Sequence, residues 1–129
     1  MLILVHDLDT NKLEELRAEL KRTTKGHSFD HHLICIPIQE IEAWFLSDGL
    51  ALRDVCKLKK TPKMPISPEK VVSPKEFLEN LVYKESNKGR RYLNTKDNEK
   101  MALKISLVET ERKCPSFKEL SLFLRGKVY

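Results

Sequence analysis

Hydrophobic residues in the first forty positions fall in two tight runs separated by a spaced stripe. Leu2-Ile3-Leu4-Val5 and Leu33-Ile34-Cys35-Ile36 are continuous apolar runs, as in short strands covered on both faces. Between them Leu13, Leu16 and Leu20 recur at intervals of three and four among charged residues. That spacing predicts an amphipathic helix over 11–22. A polar stretch containing Gly26 leads from this helix into the second strand, and Pro37 helps to end that strand. The opening therefore reads strand, helix, strand, with strands near 2–6 and 32–37. A connection of this length favours parallel pairing with a right-handed helical crossover.

Beyond residue 38 the pattern turns helical. Ile41, Trp44 and Phe45 lie on or near one face of a helix over 39–46, Asp48-Gly49 interrupts it, and 50–56 adds another turn or two. Residues 57–74 carry four of the six prolines and many lysines, an irregular basic excursion. Ser73-Pro74-Lys75-Glu76 sets Ser at an N-cap and Pro at the first helical position. Ser116-Phe117-Lys118-Glu119 repeats the Ser-x-x-Glu capping box. Phe77, Leu78 and Leu81 line the first of these helices, and Phe117, Leu120, Phe123 and Leu124 line the second. Met101, Ile105 and Val108 predict one helix over 97–110. The expected fold class is α/β: a small parallel sheet followed by a mostly helical C-terminal extension.

Length and composition narrow the class. The 129 residues, 40% of them hydrophobic and 33% charged, suit one globular domain, 1–129. No apolar run approaches the roughly 18 residues of a membrane span. The first apolar run is short and has no basic region before it, unlike a signal peptide. Cys35, Cys56 and Cys114 are odd in number and far apart, which suits reduced thiols and a cytoplasmic location.

The net charge of +5 divides unevenly, with −4 over residues 1–56 and +9 over 57–129. Acidic residues gather where the strands end. Asp7 and Asp9, in His6-Asp7-Leu8-Asp9, follow the first strand, and the carboxyl ends of parallel strands are where open sheets bind ligands. Two carboxylates in this arrangement suit a hard cation such as Mg²⁺ or Mn²⁺; the structural alternative is that Asp9 and Thr10 cap the next helix. Glu40 and Glu42 follow the second strand and should reach the same edge. They differ by about 200° around a helix, so only one can face a shared site. Trp44 reads as core. Lys84, Lys88, Arg90, Arg91, Lys96, Lys100 and Lys104, interleaved with Tyr83 and Tyr92, form a stretch suited to phosphates and stacked bases, or simply an exposed face. His27, His31, His32 and Cys35 match no usual zinc spacing. The four glycines spell neither a P-loop nor a Gly-x-Ser-x-Gly elbow.

Taken together, the segments resemble one family. The strand ending in His-Asp-Leu-Asp is similar to the Asp-x-Asp motif of Toprim domains. Gln-Glu-Ile-Glu-Ala-Trp-Phe-Leu-Ser-Asp (39–48), Pro68-Glu69-Lys70, Pro74-Lys75, Tyr92 through Lys96 and Cys114-Pro115-Ser116-Phe117 resemble, as an ordered set, a bacterial family of unknown function with a Toprim-like core. That family is related to the Toprim half of the overcoming-lysogenization-defect nucleases. The resemblance implies a cytoplasmic prokaryotic protein, often encoded beside an ABC-type ATPase, with a role in phage defence. It implies Asp7 and Asp9 as ligands of Mg²⁺ or Mn²⁺ and Glu40 or Glu42 as a further acidic member of the site. A Toprim domain begins with an earlier strand and a glutamate-bearing loop. The sequence opens on the later strand, so the implied core is truncated and that glutamate is absent. The open sheet edge should then be covered by the C-terminal helices or by a second copy of the chain.

The expected function is Mg²⁺- or Mn²⁺-dependent phosphodiester cleavage, with residues 84–104 holding DNA or RNA and an ABC-type ATPase as partner. The competing expectation is a non-catalytic regulatory or nucleic-acid-binding subunit of such a system.

Overall fold

The computed structural model describes residues 1–126. Two strands, β1 (Leu2–Val5) and β2 (His32–Cys35), pair in parallel, with Leu2 opposite His32 and Val5 opposite Cys35. The crossover between them carries α1 (Leu13–Thr23). Side chains alternate across strands, and the two faces of this small sheet are covered differently. Leu4, Ile34 and Ile36 pack under Leu13, Leu16 and Leu20 of α1. Ile3, Leu33 and Cys35 pack under Phe117, Leu120 and Phe123 of α7 (Pro115–Leu124). The C-terminal helix therefore covers a face of the sheet, and β1's outer edge has no paired strand among the described residues.

The remaining helices are α2 (Glu42–Phe45), α3 (Gly49–Cys56), α4 (Pro74–Glu85), α5 (Asn94–Lys104) and α6 (Leu107–Lys113), with a 3₁₀ turn at Pro68–Lys70. A third cluster joins both sides of residue 56: Leu46, Leu52 and Cys56 pack with Leu78, Val82, Tyr92 and Met101. Gly49 opens α3 where the proline-rich excursion crosses it. A Cβ there would sit 2.9 Å from Met64 Cγ and 3.0 Å from the Pro62 carbonyl oxygen, so only glycine admits this approach.

Three local expectations are corrected. The stripe Met101, Ile105, Val108 does not belong to one helix. Ile105 turns extended at the end of α5, Ser106 caps α6, and Val108 is 72% exposed. Asp48 fixes the break by accepting from the Ser106 N–H at 2.8 Å. Ser116 is not an N-cap. α7 starts at Pro115, and Ser116 is buried in its first turn. Its hydroxyl accepts from Trp44 Nε1 at 2.8 Å and donates to Glu69 at 2.6 Å. Ser73 does precede α4, with Pro74 at the first position, but its side chain makes no cap bond.

Several helix starts are instead held by carboxylates, two of them from elsewhere in the chain. Glu40 accepts from the Lys75 N–H at the start of α4, and Glu69 accepts from the Ser116 N–H at the start of α7. Asp97 turns back on the Leu93 N–H at the start of α5 and pairs with Arg90 at 3.0 Å. Negative charge at a helix N-terminus satisfies free N–H groups and suits the helix dipole.

Candidate functional site

The two strands remain paired past their ends. His6 N–H donates to the Cys35 carbonyl at 3.1 Å, Leu8 N–H to Pro37 at 3.0 Å, and Asp9 N–H to Gln39 at 2.7 Å. Asp9 and Gln39 both adopt left-handed backbone, with φ of 50° and 65°. That conformation costs a non-glycine residue roughly 1–2 kcal/mol, and such outliers gather at functional sites. The paired ends bring Asp7, Asp9, Glu40 and Glu42 to one edge, where the sequence places them.

Their surroundings differ. Asp7 Oδ1 accepts from the Ile41 N–H at 2.9 Å. Burial pushes its carboxyl up to about 6 against that hydrogen bond, and Glu42, Asp9 and Glu40 push it in the same upward direction. Glu40 is also raised, first by burial and then by its acidic neighbours, while the Lys75 N–H on its Oε2 opposes the shift. Glu42 is buried and accepts from Asn98 Nδ2 at 3.0 Å; Asn98 in turn accepts from the Tyr92 hydroxyl at 2.7 Å. Asp9 is exposed, and its carboxylate has no hydrogen-bond partner among the described residues. Neither Asp9 nor Thr10 caps α1, whose N-cap position is Lys12.

The basic stretch is divided by the fold. Tyr92 is 1% exposed, so it offers no face for a base. That corrects its assignment as a stacking residue: the ring is core, and its hydroxyl is spent on Asn98. Arg90 is spent on Asp97, and Arg91 lies over the Tyr83 ring at 5.0 Å. Lys84, Lys88, Lys96, Lys100 and Lys104 are exposed. Lys100 and Lys104 face a groove shared with Arg53 and Lys57 of the α3 segment. The reading by contiguous stretch missed Arg53 and Lys57; their spacing of four residues was the available signal. His27, His31 and His32 are exposed, whereas Cys35 is buried and donates its thiol to the Ser116 carbonyl.

Among the described residues no group of three or more His, Cys, Asp or Glu side chains is placed to hold a metal ion. The described residues thus preform no cation cage. Asp7, with its second oxygen uncommitted, and the exposed Asp9 offer two carboxylates. One or two carboxylates are what Mg²⁺ takes when substrate phosphates and water complete its shell. Among the described residues no helix is long and apolar enough to cross a membrane.

Fold and site define a helix-rich α/β domain with carboxylates at the joined ends of two parallel strands. The chain belongs to the family described as Domain of unknown function (DUF4276), whose model matches residues 1–125. No curated protein and no solved structure matches it.

Proposed function

We propose that this chain is a Toprim-like module for Mg²⁺- or Mn²⁺-dependent cleavage of phosphodiesters in nucleic acid. The observation that carries the reading is the convergence of Asp7, Asp9 and Glu40 at the paired strand ends, with Asp7 held among like charges. Asp7 and Asp9 would hold the ion, whose chemistry when bound is to neutralise phosphate charge and activate water. With Asp7 and Asp9 committed to the ion, the acid–base role falls to Glu40, whose carboxyl is raised by burial and by its acidic neighbours. Glu42, committed to Asn98, positions the edge and does not touch substrate.

Labelled DNA and RNA incubated with Mn²⁺ test this directly. The expected result is cleavage by the chain and none by the Asp7→Ala/Asp9→Ala variant. Equal cleavage by both, or none by either, overturns the nuclease reading. In that event the supported alternative is a nucleic-acid-binding subunit, such as one serving an ABC-type ATPase partner in phage defence. The uncommitted lysines at 57, 100 and 104 favour it.

A further inference from the structure

α3 and α5 pack side by side and leave between them an open groove of about 720 Å³. Its walls are cationic on both sides: Arg53 and Lys57 from the α3 segment, Lys100 and Lys104 from α5. Its floor is aliphatic, formed by Val55 and the buried Leu58, and Leu103 stands on the rim, 84% exposed. Lys57 stands at the α3 C-terminus in left-handed conformation, which turns the chain into a second hollow of about 280 Å³ carrying Lys59 and Arg90. The acidic residues on these walls are few, and Asp54 is already paired with Arg53 at 3.0 Å. The ammonium groups of Lys57, Lys100 and Lys104 make no hydrogen bond or ion pair among the described residues. Three uncommitted ammonium groups beside an exposed leucine are not required by the fold.

We propose that this groove is the path of a nucleic-acid single strand, held through its phosphates without sequence preference. Lys100 and Lys104 stand about 6 Å apart along the helix axis, a spacing that successive phosphates of an extended strand can follow. An unpaired strand exposes base faces that can lie on Leu103, which is 84% exposed, whereas a duplex keeps its bases stacked inside. The floor is aliphatic and the one tyrosine of the basic stretch nearest it, Tyr92, is buried, so affinity comes from charge rather than from stacking on rings. α5 also carries Asn98, which holds Glu42 at the acidic edge. Asn98 is turned by more than about 100° around the helix from both Lys100 and Lys104, so a strand in the groove passes round α5 to reach the carboxylates. The inference deepens the nuclease reading by giving the substrate's path and strandedness.

Fluorescence anisotropy of a labelled 20-nucleotide single strand, in EDTA and over a series of salt concentrations, tests binding apart from cleavage. The Lys57→Glu/Lys100→Glu/Lys104→Glu variant should bind at least tenfold more weakly. Its slope of log affinity against log salt should be shallower by about 2, since each lost phosphate contact to a single strand removes ~0.7. A charge-matched Lys25→Glu/Lys70→Glu/Lys118→Glu variant, at exposed positions away from the groove, should stay within threefold of the parent, with both variants melting near the parent temperature. Equal losses in the two variants overturn the groove as the path. Duplex bound as tightly as single strand overturns the assignment of strandedness. Because no metal is present, the result is independent of whether Asp7 and Asp9 support cleavage.

Discussion

The acidic and the basic halves of this molecule treat their charges in opposite ways. Most carboxylates near the strand ends and helix starts are tied: Asp7 to Ile41, Glu40 to Lys75, Glu42 to Asn98, Asp48 to Ser106, Glu69 to Ser116 and Asp97 to Leu93 and Arg90. The lysines of the α3–α5 groove stand free. Charge in the first set is architecture and in the second set is surface. Asp9 is the instructive exception. Asp7, like Glu40 and Glu42, is tied by one oxygen, and Asp9 is not tied at all. A carboxylate left uncommitted at a strand end, in a molecule that commits so many others, is where chemistry is best sought.

The contrast makes predictions of decreasing size. Asp97→Ala removes a carboxylate that is buried, paired with Arg90 and bonded to the start of α5. It should cost about 3 kcal/mol in urea unfolding, because breaking a buried pair strands its partner. A loss below 1 kcal/mol would break the claim that the acids are architecture.

Asp7→Asn should do the opposite. Its carboxyl is raised from 3.8 to about 6, so the folded chain holds the Asp7 proton more tightly than the unfolded chain does. The ionised group therefore opposes folding most fully above pH 6, and stability recovers as pH falls from 6 towards 4. Asparagine keeps an oxygen for the Ile41 N–H and carries no charge. At pH 8 it should stabilise by about 1 kcal/mol, since a pKa unit is worth ~1.4 kcal/mol and a partly exposed group keeps only part of it. The gain should vanish near pH 4 in thermal melts at matched ionic strength. A gain that does not depend on pH would show that charge is not its source.

The smallest effect should come from the groove. Lys100→Glu/Lys104→Glu should move stability by no more than about 0.5 kcal/mol, as for surface changes away from packed features. A larger loss by the same urea measurement would make these lysines structural and weaken their reading as a docking surface.

The strand–helix–strand opening was legible because each element is local. Continuous apolar runs and a Leu stripe mark β1, α1 and β2 without help from the rest of the chain. The meeting of Asp7, Asp9, Glu40 and Glu42 followed from parallel pairing alone. What was not legible was long-range. The Ser-x-x-Glu at 116–119 has the spacing of a cap, yet Ser116 is claimed by Trp44 and Glu69, from 72 and 47 residues away. The Met101–Val108 stripe has helical spacing, yet Asp48 takes the Ser106 N–H, 58 residues distant, and breaks it. Tyr92 sits among basic residues in sequence but under α5 in space. Arg53 and Lys57 join Lys100 and Lys104 only after α3 and α5 pack. Pattern reads what neighbours decide, and these positions are decided by partners elsewhere in the chain.

The carboxylate ties also bear on the order of assembly. Asp7 reaches Ile41 across 34 residues, Glu40 reaches Lys75 across 35, and Glu69 reaches Ser116 across 47. None of these can form until distant segments have met, so the helix starts they hold gain their partners late. A chain so rich in helix should therefore reach its native state more slowly than bundles built from neighbouring contacts, since folding rate falls with the sequence distance between contacting residues. Helical signal would come first, with fixed side chains around Trp44 following when Glu69 and Ser116 close over its indole.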